Sequence, residues 1–562
     1  MQRVLTASAA DGGKRRNEGP AAHSRPLIRP QVGETMIVLL RCLVGRGPAM
    51  AVALLLLAAC APISDTADDR LQAGSASEAA SDGDEAAAGA GGGGELTYAA
   101  APPNTINPHM MSSLGDIHTV QPVVNYLVRL GQDLSLQPDL ATEWDSQDAR
   151  TWTFKLREGV TFHDGSDFDA EDVVATFDRI VDPKEQSAAA GSFTFLEKGG
   201  TTAVDDYTVR FELTEPVGDF PAWVTAYQAA ILPSDWSGNF EKDPIGTGPF
   251  KLAEYTPRQG AVFERNADYW EEGMPKLERM EAVYYEDFGA QITAIQSGDV
   301  DLMTLLPGDL VDTVPKGSGV TVLAAPSATH AQLTMRVDTE PWDDKRVRQA
   351  LALTIDRQEI VDELWAGHAT VANDSWLSPV YGFQDAVDAE QRTQDIERAK
   401  QLLAEAGYRD GLDTQLVTYG GIGIFAQAVA DMAEPAGFRI KIKVEPTDVY
   451  YQHWTELPLA METWLHRSSV AQMPALSFQC GVDWNVPHWC NRDFDRLLNE
   501  LNATVDTGER AQIAGEMAAI MHEEVPAVIP WFQDTLSATR DNVSGYDSHP
   551  ANFVDFRSTT VG

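Results

Sequence analysis

Cysteine is scarce, with four residues in a chain of 562. A disulfide-knit scaffold needs a far denser supply, so that class is excluded. Bases are short as well: 42 Lys and Arg stand against 84 Asp and Glu. A net charge of −42 argues against gripping a phosphate backbone, which needs a basic face. From residue 95 onward no apolar run approaches the roughly 20 residues of a spanning helix. There is no Gly-x-Ser-x-Gly elbow and no His-Glu-x-x-His; His522-Glu523-Glu524 lacks the second His. The eleven His are scattered, with no pair at i, i+4 ligand spacing. What remains is 43 % hydrophobic and 22 % charged, a globular balance. Its length calls for two or more cores.

The first 60 residues differ from the rest. They hold eight bases and three acids, so the body beyond carries an even larger acid excess than the whole chain. Arg41 and Arg46 precede the apolar stretch 48–59 (PAMAVALLLLAA), which is too short to span a bilayer. Bases, a short apolar core and small residues make a secretory signal. Its end, Leu57-Ala58-Ala59-Cys60, resembles a bacterial lipobox, in which the Cys is lipidated. Met36 would start a conventional signal on its own, so 1–35 reads as a mis-assigned start or a long leader. Residues 61–94 are rich in Gly, Ala, Ser and acid and cannot bury enough surface to offset chain entropy. They read as a flexible tether to a body outside the cytoplasmic membrane.

In that body, Glu95–Ala100 reads as a strand leading into a Pro/Asn-rich turn at 102–108. Thr151–Leu156 alternates like a half-buried strand. Residues 169–180 predict a helix capped by Asp169, with Val173, Val174, Phe177 and Ile180 on one face. A single amphipathic helical stretch is expected over 343–364, with Val347, Leu351, Ile355 and Val361 inward. Another helix is expected over 395–406, stopped by Gly407. Residues 439–445 (RIKIKVE) alternate as a strand. Strands and helices interleave, so the class is α/β.

Four motifs then fall in one order. Strand 152–156, Arg157, the turn Phe162-His163-Asp164-Gly165 and a helix carrying Asp172-Val173 form the first. Gly246-Thr247-Gly248-Pro249-Phe250 is the second, Arg346-Val347-Arg348-Gln349-Ala350 the third, and 397–408 the fourth. Together they resemble the family 5, peptide/oligopeptide/nickel-type solute-binding proteins of ABC importers, over about residues 95–560. Read physically, the first two are turns: Asp164 bonds local amides, Gly165 takes positive φ, and Gly246 to Pro249 lets backbone pass close to backbone. The resemblance implies a two-lobed periplasmic-binding-protein fold of type II, with an extra subdomain in the first lobe. It implies a first lobe of 95–329 plus 531–562, a subdomain at about 137–235, and a second lobe at 330–530. Solute would be trapped between the lobes by hinge closure and passed to a membrane permease and its ATPase.

Cys42 lies in the leader and Cys60 in the lipobox, leaving Cys480 and Cys490 as one pair. In an oxidising compartment a disulfide is the natural reading. A metal site with His488 and His453 is the competitor, disfavoured because no Cys-x-x-Cys is present. Just before Cys480 stands Met461-Glu462-Thr463-Trp464-Leu465-His466-Arg467-Ser468-Ser469-Val470. The resemblance implies that much of the ligand is held here, and that peptide binders place an Asp after the Trp to pair the α-ammonium. The stretch from Trp464 to Val470 contains no Asp; His466 and Arg467 stand instead. A buried Arg favours an anion and disfavours an ammonium. Trp464, His466 and Arg467 are therefore the leading candidates for a ligand with an anionic or polyhydroxy face. A structural ion pair at the lobe edge is the alternative for Arg467. Tyr419 and Gly420, Asn104 and Thr105, Trp376 and Trp484 are further ligand candidates.

The expected protein is a lipid-anchored, extracytoplasmic binding protein, monomeric and without cofactor, metal, catalysis or nucleic acid. A secreted hydrolase, or a nickel or haem carrier on the same scaffold, is the alternative.

Overall fold

The computed structural model describes residues 94–315 and 317–562. The leader, Cys60 and all of the tether but Gly94 lie outside the described residues. None of the described helices is long and apolar enough to cross a membrane.

Three sheets organise the body. A seven-stranded sheet has the order Val320–Ala325, Thr535–Arg540, Leu302–Met303, Glu95–Ala100, Arg279–Tyr284, Gly260–Arg265 and Phe250–Thr256. Glu95–Ala100 runs parallel to both neighbours, so it is a central strand; its last three residues are buried. Thr535–Arg540 returns late in the chain and lies antiparallel between Val320–Ala325 and Leu302–Met303. A four-stranded antiparallel sheet holds Ala141–Ser146, Thr151–Leu156, Thr208–Glu212 and Thr201–Asp205. The helix Ala170–Val181 covers it. Asp169 caps this helix and Asp172 reaches back in a capping box, while Val173, Phe177 and Ile180 enter the core and Val174 stays half-buried.

The first two motifs meet as turns. Gly165 sits at φ +88°. The Lys251 ammonium donates to the His163 carbonyl, and His163 Nε2 bonds the Gly248 carbonyl at 3.0 Å. A Cβ on Gly246 would lie 2.1 Å from the Val123 oxygen, and one on Gly248 2.3 Å from the Val123 carbonyl carbon. Only glycine lets these two backbones approach so closely.

The five-stranded sheet has the order Phe438–Glu445, Leu412–Tyr419, Leu459–Trp464, His330–Met335 and Ala527–Val528. Helix Gly423–Ala433 connects the first two strands, which are parallel. Helix Ile396–Glu405 has Asp395 as its cap, and Gly407 follows at φ +100°. The single helix expected over 343–364 is two: Lys345–Ala352 and Arg357–Leu364. Thr354 turns its hydroxyl back to the Leu351 carbonyl, and Asp356 accepts from the Glu359 amide as a fresh cap. Such side-chain bonds compete with helix continuation. The apolar stripe survives the break: Val347, Leu351, Ile355 and Val361 share one core.

The chain passes between the seven- and five-stranded bodies twice, from Ala325 to His330 and from Val528 to Thr535. The crossings touch where the Gln533 amide donates to the Thr329 carbonyl at 2.8 Å.

Candidate functional site

Strand Leu459–Trp464 lies between Leu412–Tyr419 and His330–Met335 and is buried on both faces except at Thr463. At Trp464 it leaves the sheet, and His466, Arg467 and Ser469 beyond it are each held by hydrogen bonds. The His466 amide donates to Thr329 Oγ1 at 3.0 Å, and the Ala328 amide donates to His466 Nδ1 at 3.3 Å. A neutral ring accepting at Nδ1 carries its proton on Nε2, and that nitrogen is enclosed with no acceptor. Burial, then His549, then Arg467 push the His466 pKa down to about 3, so the ring is neutral near pH 7.

Arg467 follows. The Tyr381 hydroxyl donates to its carbonyl at 2.8 Å, while the guanidinium Nε is enclosed with no partner. The side chain keeps some open surface, but no carboxylate lies within ion-pair distance of it among the described residues. Burial lowers its pKa, and the phenol groups beside it are those of Tyr227 and Tyr381. Tyr227 and His549 belong to the bodies opposite, so the segment faces across from one lobe to the other. Beyond them lies a cavity of about 240 Å³ lined by Tyr126, Thr225 and His549, among others.

Behind Trp464 runs a chain of rings. Trp464 lies 5.7 Å from Trp454 and 6.1 Å from Trp484; Trp454 lies 5.5 Å from Tyr451, which lies 5.5 Å from Tyr419. Trp484 and Tyr451 are 47 % and 42 % exposed, so this wall opens to solvent. Beneath it Glu462 is fully buried. Gln332, Thr334 and Tyr450 donate to its carboxyl group, and no cation does. Burial raises its pKa to about 7.

The structure therefore brings Trp464, His466, Arg467, Trp484 and Tyr419 into one region. It does not bring Trp376 there. Trp376 is 1 % exposed, packs on Phe494, and donates Nε1 to the Val470 carbonyl at 2.8 Å. That correction follows from its bulk: a satisfied indole with no open face is core. Gly420 is in an exposed turn after Leu412–Tyr419. The Asn104 and Thr105 amides donate to Asp116 Oδ1, and Asn104 lines a separate hollow of about 370 Å³ with His118, Gln291 and Thr304. Tyr381, Tyr227, Trp454, Tyr451 and Glu462 are additions to the sequence candidates. Only Glu462 had a signal, since it sits two residues before Trp464 on the same strand face.

Cys480 and Cys490 are joined as a disulfide. Asp495 is the third group near these sulfurs and accepts from the Cys480 amide. His488 and His453 are engaged elsewhere, with Asp338 and Glu445 respectively. The metal competitor therefore lacks its extra ligands.

Two α/β bodies, crossed twice by the chain and facing one another over an enclosed guanidinium and an aromatic wall, define a two-lobed solute-binding protein. Comparison with known proteins gives the family. The model for bacterial extracellular solute-binding proteins, family 5, matches residues 135–484, and the chain belongs to that family. It is 26 % identical over 511 residues to the dipeptide-binding protein of Escherichia coli, covering 82 % of this chain and 93 % of the relative. It is 26 % identical over 483 residues to heme-binding protein A of Haemophilus influenzae, covering 78 % and 87 %. The solved ABC transporter substrate-binding protein CtaP of Listeria monocytogenes superposes with TM-score 0.74 at 24 % identity, covering 84 % and 99 %. The protein is a solute-binding component of an ABC importer.

Proposed function

We propose that the solute carries an oxyanion, a carboxylate or phosphate, which pairs with Arg467. The supporting observation is the enclosed Nε with no acid at hand. A buried guanidinium without a partner is costly, and a bidentate oxyanion relieves it. The rings of Trp484 and Trp454, backed by the buried Trp464, then offer a flat or polyhydroxy portion of the solute a stacking surface. The relative named for dipeptides suggests a peptide-like solute. Here the segment after Trp464 offers an ammonium no carboxylate, so a peptide would enter with an acidic group toward Arg467.

In this reading the lobes are 95–329 with 531–562, and 330–530, with the subdomain at about 137–235. The protein acts as a monomer, breaks no bond, and needs no cofactor. Export by the leader and lipidation of Cys60 hold it at the outer face of a bacterial membrane, where a permease and ATPase take the solute.

Native mass spectrometry of the protein as purified identifies any retained solute. Calorimetry of that compound with wild type and Arg467→Ala is then decisive: an anionic compound with affinity lost in the variant is expected. Unchanged affinity sinks the Arg467 assignment. A retained haem, visible by its absorbance, favours the carrier reading that the heme-binding relative suggests.

A further inference from the structure

Asp219 caps the far side of the same region from a different body. It precedes the short helix Phe220–Trp223, whose Phe220 packs in the core of the four-stranded sheet. Its Oδ2 accepts the Ser469 hydroxyl and an Arg510 N–H, each at 2.5 Å, and its Oδ1 accepts the Trp223 indole N–H at 3.2 Å. Ser469 and Arg510 both belong with the five-stranded body. Arg510 is only 4 % exposed and also donates to the Leu501 and Thr504 carbonyls. Beside it the Gly218 amide donates to the Asn502 carbonyl at 2.7 Å. A Cβ on Gly218 would lie 1.9 Å from the Thr504 oxygen, so the two backbones meet with no room for a side chain.

The Ser469 hydroxyl has a second duty. It accepts from the Ala471 amide at 3.1 Å, at the entry to helix Gln472–Ser477. Of the bonds that fix the segment 466–469, those to His466 come from 328–329 and that to Arg467 from Tyr381. The Ser469 amide donates to Gln472 Oε1 on its own side at 3.3 Å, while its hydroxyl reaches Asp219, the one partner of this segment among those described that belongs with the four-stranded sheet.

We propose that Asp219 is a positioning residue: it latches the four-stranded body to Ser469 and Arg510, and so couples lobe closure to the placement of the Arg467 segment. A charged acceptor shared by two donors makes a stronger and more directional tie than a neutral contact. The consequence for solute capture rests on the Arg467 reading; the latch does not. When the lobes part, Arg510 loses its carboxylate partner and Ser469 loses the acceptor that aims its hydroxyl. The segment that meets the solute is thus fully ordered only in the closed form, a population shift with a defined chemical contact.

Amide hydrogen exchange on the full chain, with no solute added, tests this. Asp219→Ala is expected to speed exchange at Gly218 and at residues 469–472 by roughly 10- to 100-fold, the range for losing a charge-assisted bond. The neighbouring strand Leu459–Trp464 should keep its wild-type protection. Asp219→Asn, which keeps an acceptor for Ser469 but not the charge facing Arg510, should fall between. Ser469→Ala should loosen Ala471 and leave Gly218 protected. If Asp219→Ala deprotects only the first body, around Phe220–Trp223, or leaves 469–472 unchanged, the latch is overturned. Arg467→Leu serves as the control that separates the two readings. It should leave exchange at 218 and 469–472 at wild-type rates whether or not Arg467 meets a solute.

Discussion

The Tyr381 hydroxyl donates to the Arg467 carbonyl oxygen at 2.8 Å, and the Tyr381 ring stacks on His466 with 5.9 Å between centroids. One tyrosine therefore braces two consecutive residues of the site, one through its oxygen and one through its face. Tyr381→Phe keeps the ring and removes the bond. The expected loss is about 1 kcal/mol of stability, read by denaturant midpoint, together with weaker binding of the retained solute. A variant equal to wild type in both would show the bond to be idle.

Arg467→Leu separates stability from binding. The Arg467 Nε is enclosed without an acid, and an unpaired buried charge carries a desolvation cost that an apolar group avoids. The solute-free variant should melt at or above the wild-type temperature, while affinity for an anionic solute falls at least tenfold. A large drop in melting temperature would indicate that Arg467 is structural, as the lobe-edge alternative holds.

Glu462 gives a pH signature. Its carboxyl titrates near 7 in the folded protein, against about 4.5 unfolded. The folded state therefore holds a proton that the unfolded state has lost between these values, and stability falls as pH rises through that window. The penalty is complete above about pH 7 and amounts to roughly 3 kcal/mol. Glu462→Gln removes it. The stability of the variant relative to wild type should climb from pH 4.5 to pH 7.5 and then level off. Seven histidines whose pKa burial lowers, His109, His118, His163, His330, His466, His522 and His549, act in the opposite direction below their ordinary pKa. They are common to both proteins and cancel in the difference. A flat difference across that range would mean that Glu462 is charged in the fold.

Gly248→Ala tests the junction of the two motif turns. The new Cβ would sit 2.3 Å from the Val123 carbonyl carbon and 2.5 Å from the Val124 nitrogen, and backbone cannot step aside cheaply. A loss of more than about 2 kcal/mol is expected. Gly159→Ala, at a site with φ +74° and nothing within 4 Å, carries only the local φ strain and should lose less.

Reduction of the Cys480–Cys490 bond opens a short loop next to the aromatic wall. Cys480→Ser with Cys490→Ser should lower stability by roughly 2–3 kcal/mol and raise the exposure of Trp484 to a fluorescence quencher. An unchanged melting curve with and without reductant would leave the bond no share in stability.

Strands with strict alternation and helices with good caps were legible in the amino-acid sequence, because one residue's neighbours along the chain determine them. The cap at Asp169 and the stop at Gly407 are of this kind. The break at Thr354 was not, since β-branching and a mid-stretch Asp weaken a helix without dictating where it ends. The site divides in the same way. Trp464, His466 and Arg467 are contiguous and could be read together. Tyr227, Tyr381, Trp454 and Asp219 reach the region from segments up to 250 residues from Ser469, and no local pattern marks them. Trp376 misled because an isolated tryptophan looks the same on a cleft wall and in a core. Its indole bond to the Val470 carbonyl is a fact of packing alone.

The paired crossings near Thr329 and Gln533 have a practical side. Two adjacent tethers, bonded to each other through Gln533 and Thr329, would confine any parting of the lobes to rotation about one axis. The distance between any two points on opposite lobes then reports a single angle. Two dyes placed away from the cleft would convert solute arrival into one optical ratio, with no need to know in advance which side chain the solute touches.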